Sequence, residues 1–198
     1  MSKLVLKTIA ITLASVIGAC LLTFGALSLF APATVARFSD SMGNSSVAVF
    51  FYEKQYKKTN DIDDLSILVL KLQDQGETVK EESYLKEMIS RSDFEEFCKS
   101  QNQNQTDLDS REYYYGAYSI TLCKNGKLDD AINFGKEYVE DFGYTSLNPL
   151  RLLIGEYKND KIELAKVRSG IMTVTVNLSG EQLTLALGDL VKLDGLLN

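Results

Sequence analysis

An apolar segment near the start of the chain limits what the chain can fold into. From Thr8 to Phe30, 23 consecutive residues carry no charge. A helix rises about 1.5 Å per residue, so about 20 apolar residues cross the roughly 30 Å hydrocarbon core of a bilayer. The apolar part of a secretory signal peptide is shorter, about 7–15 residues. The length of the segment therefore predicts a single transmembrane helix over residues 8–30.

Two processing events are alternatives to an intact anchor. Ala31–Ala33 and Thr34–Ala36 have the small residues of a signal-peptide cleavage site. Ile17–Cys20 resembles a bacterial lipobox, in which a lipid would be attached to Cys20. However, the apolar residues Leu21–Phe24 follow, where a mature lipoprotein usually turns polar. The intact anchor is favoured, and cleavage and lipidation remain alternatives.

The basic residues around the apolar segment indicate its orientation. Lys3 and Lys7 precede it, whereas Arg37 is the first basic residue after it. Basic residues are retained on the cytoplasmic side of a membrane. The flanks therefore favour a cytoplasmic N-terminus and an extracytoplasmic domain, in a single-pass protein of a bacterial plasma membrane.

The chain divides by charge as well as by hydropathy. Residues 38–198 hold all 27 acidic residues and all but three of the 21 basic residues, so their net charge is −9. An acidic domain is repelled by phosphate backbones, which argues against nucleic-acid binding. We expect a cytoplasmic stub and membrane anchor in residues 1–36 and one folded domain in residues 37–198.

The chain contains no His, which narrows the chemistry available to it. His is the commonest side chain for general acid–base catalysis and for metal binding. Asp61–Asp64 comes closest to a calcium loop, but it lacks the central Gly and the distal Glu. We therefore predict no catalytic residue, no cofactor and no metal. A carboxylate-based enzyme of unknown substrate is the alternative from a different class.

The remainder of the sequence has mainly helical periodicity, interrupted by short polar turns. Four helix-start segments align, each with a polar residue, an apolar residue, usually two acids, and a second apolar residue. Their starts are 32, 34 and 34 residues apart, which indicates repeated helix–turn–helix units. The acids would lie in the first helical turn, where they complement the helix dipole. The segments are Asp61–Leu65, Asp93–Phe97, Lys127–Ala131 and Lys161–Ala165.

The third unit, from Tyr115–Tyr118 through Cys123–Ile132, resembles a tetratricopeptide repeat (TPR). That family has a small residue and aromatics in its first helix and a Gly-polar-apolar-acid-acid-Ala turn into its second, as in Gly126–Ala131. Asn148-Pro149 matches the closing proline of the family. The resemblance covers roughly residues 45–175. It implies an α-solenoid of about four TPR-like hairpins, which with the transmembrane helix before it makes the expected fold all-α.

A C-terminal helix is expected to cap the solenoid. Ser179 and Gln182 have the spacing of a capping box. Before them, Ile171–Val176 is rich in β-branched residues, which favour strand. We expect packing to make this segment helical, with a short strand as the alternative. The polar tract Ser100–Thr106 is predicted to be a loop.

The repeat alignment places lysines at equivalent positions, three residues before each helix-start segment, with Ser90 in the second unit. The resemblance implies that these positions line the concave groove of a solenoid. A basic groove would favour an acidic peptide or a C-terminal carboxylate. The alternative is that lysines near helix C-termini complement the dipole. The predicted partner-binding residues are Lys54, Lys58, Lys86, Lys124, Lys158, Tyr113 and Tyr157.

The tyrosines and cysteines allow two interpretations each. Tyr113–Tyr115 and Tyr118 cover all sides of one predicted helix, so some of them should face solvent or a partner and others the core. Cys98 and Cys123 fall on successive predicted helices, and a disulfide between them is conceivable. Two separate buried thiols are favoured over a disulfide.

Together these features predict a membrane-anchored scaffold or adaptor that binds a protein partner through a helical-repeat groove, without catalysis. The alternative is a small accessory subunit whose transmembrane helix packs into a larger membrane complex. Ala14 and Gly18 in the apolar segment have the spacing of a close helix contact.

Overall fold

The computed structural model describes residues 3–102 and 109–198, and within these ranges it contains eleven α-helices and no strand. The all-α prediction is confirmed for this part of the chain. The helices are α1 (Lys3–Phe30), α2 (Pro32–Ser41), α3 (Ser45–Thr59), α4 (Ile62–Gln75), α5 (Thr78–Ile89), α6 (Phe94–Asn102), α7 (Ser110–Lys124), α8 (Leu128–Phe142), α9 (Pro149–Glu156), α10 (Lys161–Thr175) and α11 (Gly180–Leu197).

The chain forms two compact units, Met1–Gln75 (unit 1) and Gly76–Asn198 (unit 2). The division falls inside the region 37–198 that we expected to be one domain. Unit 1 contains the one helix of the described residues that is long and apolar enough to cross a membrane, over Ile11–Phe30. None of that window is buried within the structure.

Unit 1 consists of four helices that alternate in direction. Pro32 occupies the first turn of α2, which packs back against α1. The ring of Phe51 on α3 lies 6.1 Å from that of Phe24, and Lys58 donates to the Phe30 carbonyl oxygen at 2.9 Å. The direction of α3 is therefore parallel to α1. The α4 helix returns antiparallel to α3 and buries Leu68 completely.

Unit 2 is organised around α7, nine of whose fifteen residues are buried. Its aromatic side chains join a cluster with α6 and α8. Tyr114 lies against Phe97, with ring centroids 5.9 Å apart, and Tyr118 lies 4.8 Å from Phe134. Tyr114 and Tyr118 are buried, whereas Tyr113 and Tyr115 are half-buried. The four tyrosines thus contribute mainly to the core.

The second predicted hairpin is not formed by α5 and α6. Thr121 on α7 donates its hydroxyl to Glu81 on α5 at 3.0 Å, and Asn125 donates to the Thr78 carbonyl at 3.1 Å. These pairs show that α5 runs antiparallel to the C-terminal half of α7.

The α6 helix continues in the same direction along the other half of α7. The Phe94 ring lies 6.0 Å from that of Tyr114, and the Asn102 side chain accepts from the Ser110 amide at 2.8 Å. The two helices therefore lie end to end along α7 instead of folding against each other. At the break between them, the Arg91 guanidinium holds both carboxylate oxygens of Asp93 at 2.8 and 2.7 Å.

The four helices α7–α10 pack differently, as two helical hairpins, α7–α8 and α9–α10. Each helix of the first hairpin runs parallel to the corresponding helix of the second. A Cβ built on Gly116 of α7 would lie 2.6 Å from Leu152 of α9, and Tyr157, just after α9, is bonded to Cys123 near the end of α7. Because later residues of α7 contact later residues of α9, the two helices run parallel. Likewise, a Cβ built on Gly170 of α10 would lie 2.7 Å from Ile132 of α8, and the later residues Val139 and Val174 line one cleft, so α8 and α10 also run parallel.

Three of the four helix-start segments lie where the sequence predicts. Asp61, Asp93 and Lys127 immediately precede α4, α6 and α8, and the acids that follow occupy the first turns. The fourth is shifted by one residue, because Asp160 caps α10 through bonds from the Ile162 and Glu163 amides. As a result Leu164 is buried, and Ala165, the residue we had aligned, is exposed.

The C-terminal region confirms one expectation and corrects another. The β-branched segment is helical through Thr175, since Ile171 and Val174 are buried. Ser179 precedes α11 as predicted, but its side chain makes no capping bond. Gln182 accepts instead from the Tyr144 amide at 3.2 Å, so the predicted capping box is not formed.

The predicted loop at Ser100–Thr106 is wrong in its first three residues. Ser100–Asn102 belong to α6, where the Ser100 hydroxyl donates to the Phe97 carbonyl at 2.7 Å. Residues 103–106 lie outside the described residues.

Candidate partner-binding surface

Two of the predicted lysines lie at one end of a parallel helix pair. Lys124 is the last residue of α7, and Lys158 follows the end of α9 by two residues. Because α7 and α9 run parallel, these ends lie beside each other, and both lysines are exposed. Helix C-termini favour cations, so the position of each lysine also suits the helix dipole.

Lys86 does not join this pair. It lies in the last turn of α5, which runs antiparallel to α7. The end of α5 is therefore level with the middle of α7, about two turns, or roughly 10 Å, from Lys124 at 1.5 Å per residue. The expected equivalence of Ser90 with Lys124, and with it the place of Lys86 one turn before Ser90, depended on a second hairpin, which the structure does not form.

Lys54 and Lys58 belong to unit 1. Lys58 is exposed, and its ammonium donates to the Phe30 carbonyl at 2.9 Å, so it caps the C-terminus of α1. Lys54 is half-buried on α3. The structure thus gives Lys58 a local structural role within its own unit.

The two predicted tyrosines have different surroundings. Tyr113 is half-buried, with its ring 5.1 Å from that of Tyr114. Tyr157 donates its hydroxyl to the Cys123 thiol, and burial together with this bond raises the pKa of Tyr157. Tyr157 therefore connects the ends of α7 and α9, next to Lys124 and Lys158.

A cleft of about 460 Å³ lies beside Tyr157, between the turn that precedes α8 and the start of α10. Its charged residues are three acids and two lysines. Lys127 is paired with Glu82 at 2.7 Å, and Lys166 with Glu163 at 3.0 Å. Because both lysines are already paired, the cleft is unfavourable for an acidic ligand. The charged lining residues are Lys127, Asp129, Asp130, Glu163 and Lys166.

Glu81 is a buried carboxyl group that sequence reasoning missed. It is only 1% exposed, between α5 and α7, and accepts from the Thr121 hydroxyl at 3.0 Å. Burial raises the pKa of Glu81, against the opposing effects of the Thr121 bond and the Lys124 charge. No pattern in the sequence identifies it, because its partner is 40 residues away.

A second buried acid, Asp189, attaches α11 to the rest of unit 2. It is 5% exposed, accepts from the Tyr144 hydroxyl at 2.9 Å, and pairs with Arg151 at 2.6 Å. Burial and the neighbouring carboxylate raise the pKa of Tyr144. The sequence shows that this helix is rich in leucine, but nothing in it indicates that Asp189 is buried.

The two cysteines of unit 2 are separate, buried thiols, as favoured from the sequence. Burial raises the pKa of Cys98 to about 12 and that of Cys123 to about 11, so both are protonated at neutral pH. Among residues 3–102 and 109–198, no group of three or more His, Cys, Asp or Glu side chains is arranged to hold a metal ion.

Compared with known proteins, the chain matches no family model, no curated protein and no solved structure.

Proposed function

We propose that this protein is a single-pass membrane protein whose unit 2 is an extracytoplasmic TPR-like scaffold for a protein partner. The observation that carries the proposal is the parallel arrangement of α7 with α9 and of α8 with α10. Successive hairpins stacked in this way share a core and leave one edge for binding. The α5 and α6 helices then act as a cover on α7, and α11 closes the other end.

The partner-binding edge in this proposal is the end that carries Lys124, Tyr157 and Lys158. Two exposed lysines beside a half-buried aromatic ring can hold an acidic segment or a C-terminal carboxylate. The adjoining cleft repels such a ligand, which restricts it to the lysine edge.

A scaffold fits the state of the reactive groups better than an enzyme does. The two buried carboxyls are occupied, Glu81 by Thr121 and Asp189 by Arg151 and Tyr144. The buried thiols have raised pKa values and cannot supply a thiolate at neutral pH.

Site-specific photo-crosslinking in intact membranes tests this function. A photoreactive residue placed at position 124 or 158 should capture the same partner, and Lys124→Glu with Lys158→Glu should abolish capture from a neighbouring position such as 157. Position 86 is the matched control, since Lys86 is also an exposed lysine of unit 2 at a helix C-terminus. Equal capture at 86, or capture that survives the charge reversal, contradicts the proposal.

A second candidate, an accessory subunit held by its transmembrane helix, is favoured by one observation. A Cβ built on Gly18 of α1 meets nothing within 4 Å, so the close-packing position on this helix is open. If α1 packs into a complex there, Gly18→Leu removes the protein from the complex in detergent extracts while Gly155→Leu, in unit 2, does not. Retention of the Gly18→Leu protein in the complex argues against this candidate.

A further inference from the structure

The α2, α3 and α4 helices pack beside the C-terminal half of α1. They therefore lie at the same depth relative to the membrane as that half of α1. An apolar groove of about 470 Å³ separates α1 from α2. It lies between Cys20, Thr23 and Leu27 of α1 and Val35 and Phe38 of α2. Residue 38 is thus level with about residue 20–23 of α1, and α2 descends along the helix that precedes it.

The contacts of α3 give the same alignment of heights. Phe51 lies against Phe24, and Lys58 reaches the Phe30 carbonyl. A residue of α3 therefore lies at about the same height as the residue 27 or 28 positions earlier in α1. Ser45, the first residue of α3, is then level with about residue 17 of α1. The bundle of α2, α3 and α4 therefore extends roughly 20 Å along α1, at 1.5 Å per residue.

This packing is incompatible with a hydrocarbon boundary at Phe30. With that boundary, exposed Arg37 and the Asp40–Lys71 pair, joined at 2.8 Å, would lie at the depth of the acyl chains. Charged groups at that depth are strongly unfavourable. From Leu4 to Phe30, α1 is about 40 Å long, whereas the hydrocarbon core is about 30 Å thick. The helix is therefore long enough for about 10 Å of it to lie outside the core.

Three large apolar side chains are exposed at the height where α1 would then leave the core. They are Phe38 (61% exposed), Met42 (70%) and Phe50 (60%). Phe38 faces the groove beside Cys20, and Phe50 precedes Phe51, which is level with Phe24. Phe38 and Phe50 lie at about one height, and Met42 lies about 6 Å deeper, because it follows Phe38 by four residues along α2. Apolar side chains at these heights, next to a helix of membrane-spanning length, suit the boundary between headgroups and acyl chains.

We propose that the hydrocarbon boundary crosses α1 near Cys20–Phe24 and that Phe38, Met42 and Phe50 rest on lipid acyl chains. The last two turns of α1 then lie in the headgroup layer, beside α2 and α3. Residues 4–22 supply a span of about 28 Å, and Lys7 extends its ammonium to the opposite headgroups. This inference rests on the proposed membrane anchor.

Tryptophan depth measurements test it, because the chain has no native Trp. Leu21→Trp and Ile11→Trp are made in the full-length protein at exposed positions of α1 and reconstituted in phosphatidylcholine vesicles with acyl chains brominated near the headgroup or near the methyl end. We expect shallow bromine to quench position 21 more strongly and deep bromine to quench position 11 more strongly. A core over residues 11–30 gives the reverse order, since position 21 would lie at the midplane, and that result overturns the proposal.

Phe38→Trp tests the lipid contact, with Val79→Trp, 76% exposed in unit 2, as the control. Shallow bromine should quench position 38 and shift its emission to shorter wavelength, and leave position 79 unchanged. Protection of position 38 from both bromine and aqueous iodide would mean that protein covers it and would overturn the proposal, as would access to iodide alone. Flotation of the vesicles distinguishes failure of the anchor from failure of the boundary. If the protein does not float with the vesicles, the membrane anchor is refuted. If it floats but is not quenched, only the position of the boundary is refuted.

Discussion

The α5–α6 and α9–α10 segments begin their second helices with similar sequences and yet pack in different ways. Both have a turn, at least one acid in the first helical turn and a buried apolar residue near the end of that turn. The α9 and α10 helices pack against each other and run parallel to α7 and α8, whereas α5 and α6 lie end to end along α7. The helix-start pattern therefore specifies where a helix begins but not the direction in which the chain continues.

The close contacts on the stacked side explain the difference. Gly116, Gly135 and Gly170 admit neighbouring side chains to distances that a Cβ would not allow. The α5 helix, besides its apolar packing, is joined by polar bonds to Thr121 of α7 and to Asn125 and Lys127 just after α7. The stacked side should thus be sensitive to side-chain volume, and the contact between α5 and α7 should also be sensitive to charge.

The largest effect is expected where α11 is attached to the stacked helices. Asp189→Ala leaves the Tyr144 hydroxyl and Arg151 without their shared partner. We expect a loss of about 3 kcal/mol in the free energy of unfolding, less than for a fully buried pair because Arg151 is partly exposed. Asp194→Ala is the control on the same helix, since Asp194 pairs with Arg168 at 2.6 Å but is half-exposed. Denaturant unfolding that shows equal losses for both variants would contradict this role of Asp189.

The next effect concerns side-chain volume. Gly135→Ala places a Cβ 2.7 Å from the Leu150 side chain and 3.2 Å from its backbone nitrogen. We expect a loss of about 1–3 kcal/mol, measured by denaturant unfolding. Gly155→Ala, on α9 with nothing within 4 Å, should instead stabilise the protein by about 0.5–1 kcal/mol. A stabilising Gly135→Ala would mean that α8 and α9 do not approach as described.

Charge should affect the contact between α5 and α7. Removing the charge should shift the melting temperature in opposite directions at two adjacent residues of α5. Glu81 has a pKa raised by burial, so its contribution to stability is full below its unfolded pKa and falls as pH rises through the folded value. Glu81→Gln should therefore raise the melting temperature at pH 7, and the gain should disappear at acidic pH.

Glu82 is the matched control for that measurement. Burial raises its pKa, but the bonds from Lys127 and Asn125, each 2.7 Å, outweigh burial and lower it overall. Its contribution is present above the unfolded pKa and is lost as pH falls through the folded value. Glu82→Gln should therefore lower the melting temperature at pH 7. Shifts of the same sign for both variants would contradict the antiparallel pairing of α5 and α7.

The smallest effect is expected at the break between α5 and α6. Asp93→Asn weakens the two bonds from Arg91, but Asp93 is largely solvent-exposed. We expect a loss of about 0.5 kcal/mol or less in the free energy of unfolding. A loss above about 2 kcal/mol would mean that this pair, rather than the contacts with α7, determines the break.

Local signals in the sequence predicted helix positions well, because they depend on nearby residues. The acids after Asp61, Asp93 and Lys127 do occupy first helical turns. Ile171–Thr175 is helical despite its β-branched residues because burial of Ile171 and Val174 outweighs strand propensity.

Tertiary pairings could not be predicted in the same way. Glu81 and Thr121 are 40 residues apart, and Tyr144 and Asp189 are 45 apart. Gln182 has capping-box spacing but bonds to Tyr144 instead, because α11 packs close to that residue. For the same reason the sequence could not place Lys86 relative to Lys124, because its position depends on the direction of α5.

The central claim is that α7 and α9 run parallel and bring Lys124 and Lys158 to one end. Spin labels on Cys residues introduced at 124 and 158, with Cys20 replaced by Ser and the two buried thiols left unlabelled, measure this directly. The 124–158 distance should be short. A label at Glu112, about 18 Å farther back along α7, should lie roughly 10 Å farther from 158, because neighbouring helix axes are about 8–10 Å apart. A 112–158 distance shorter than the 124–158 distance would show that the helices are antiparallel and would contradict the account.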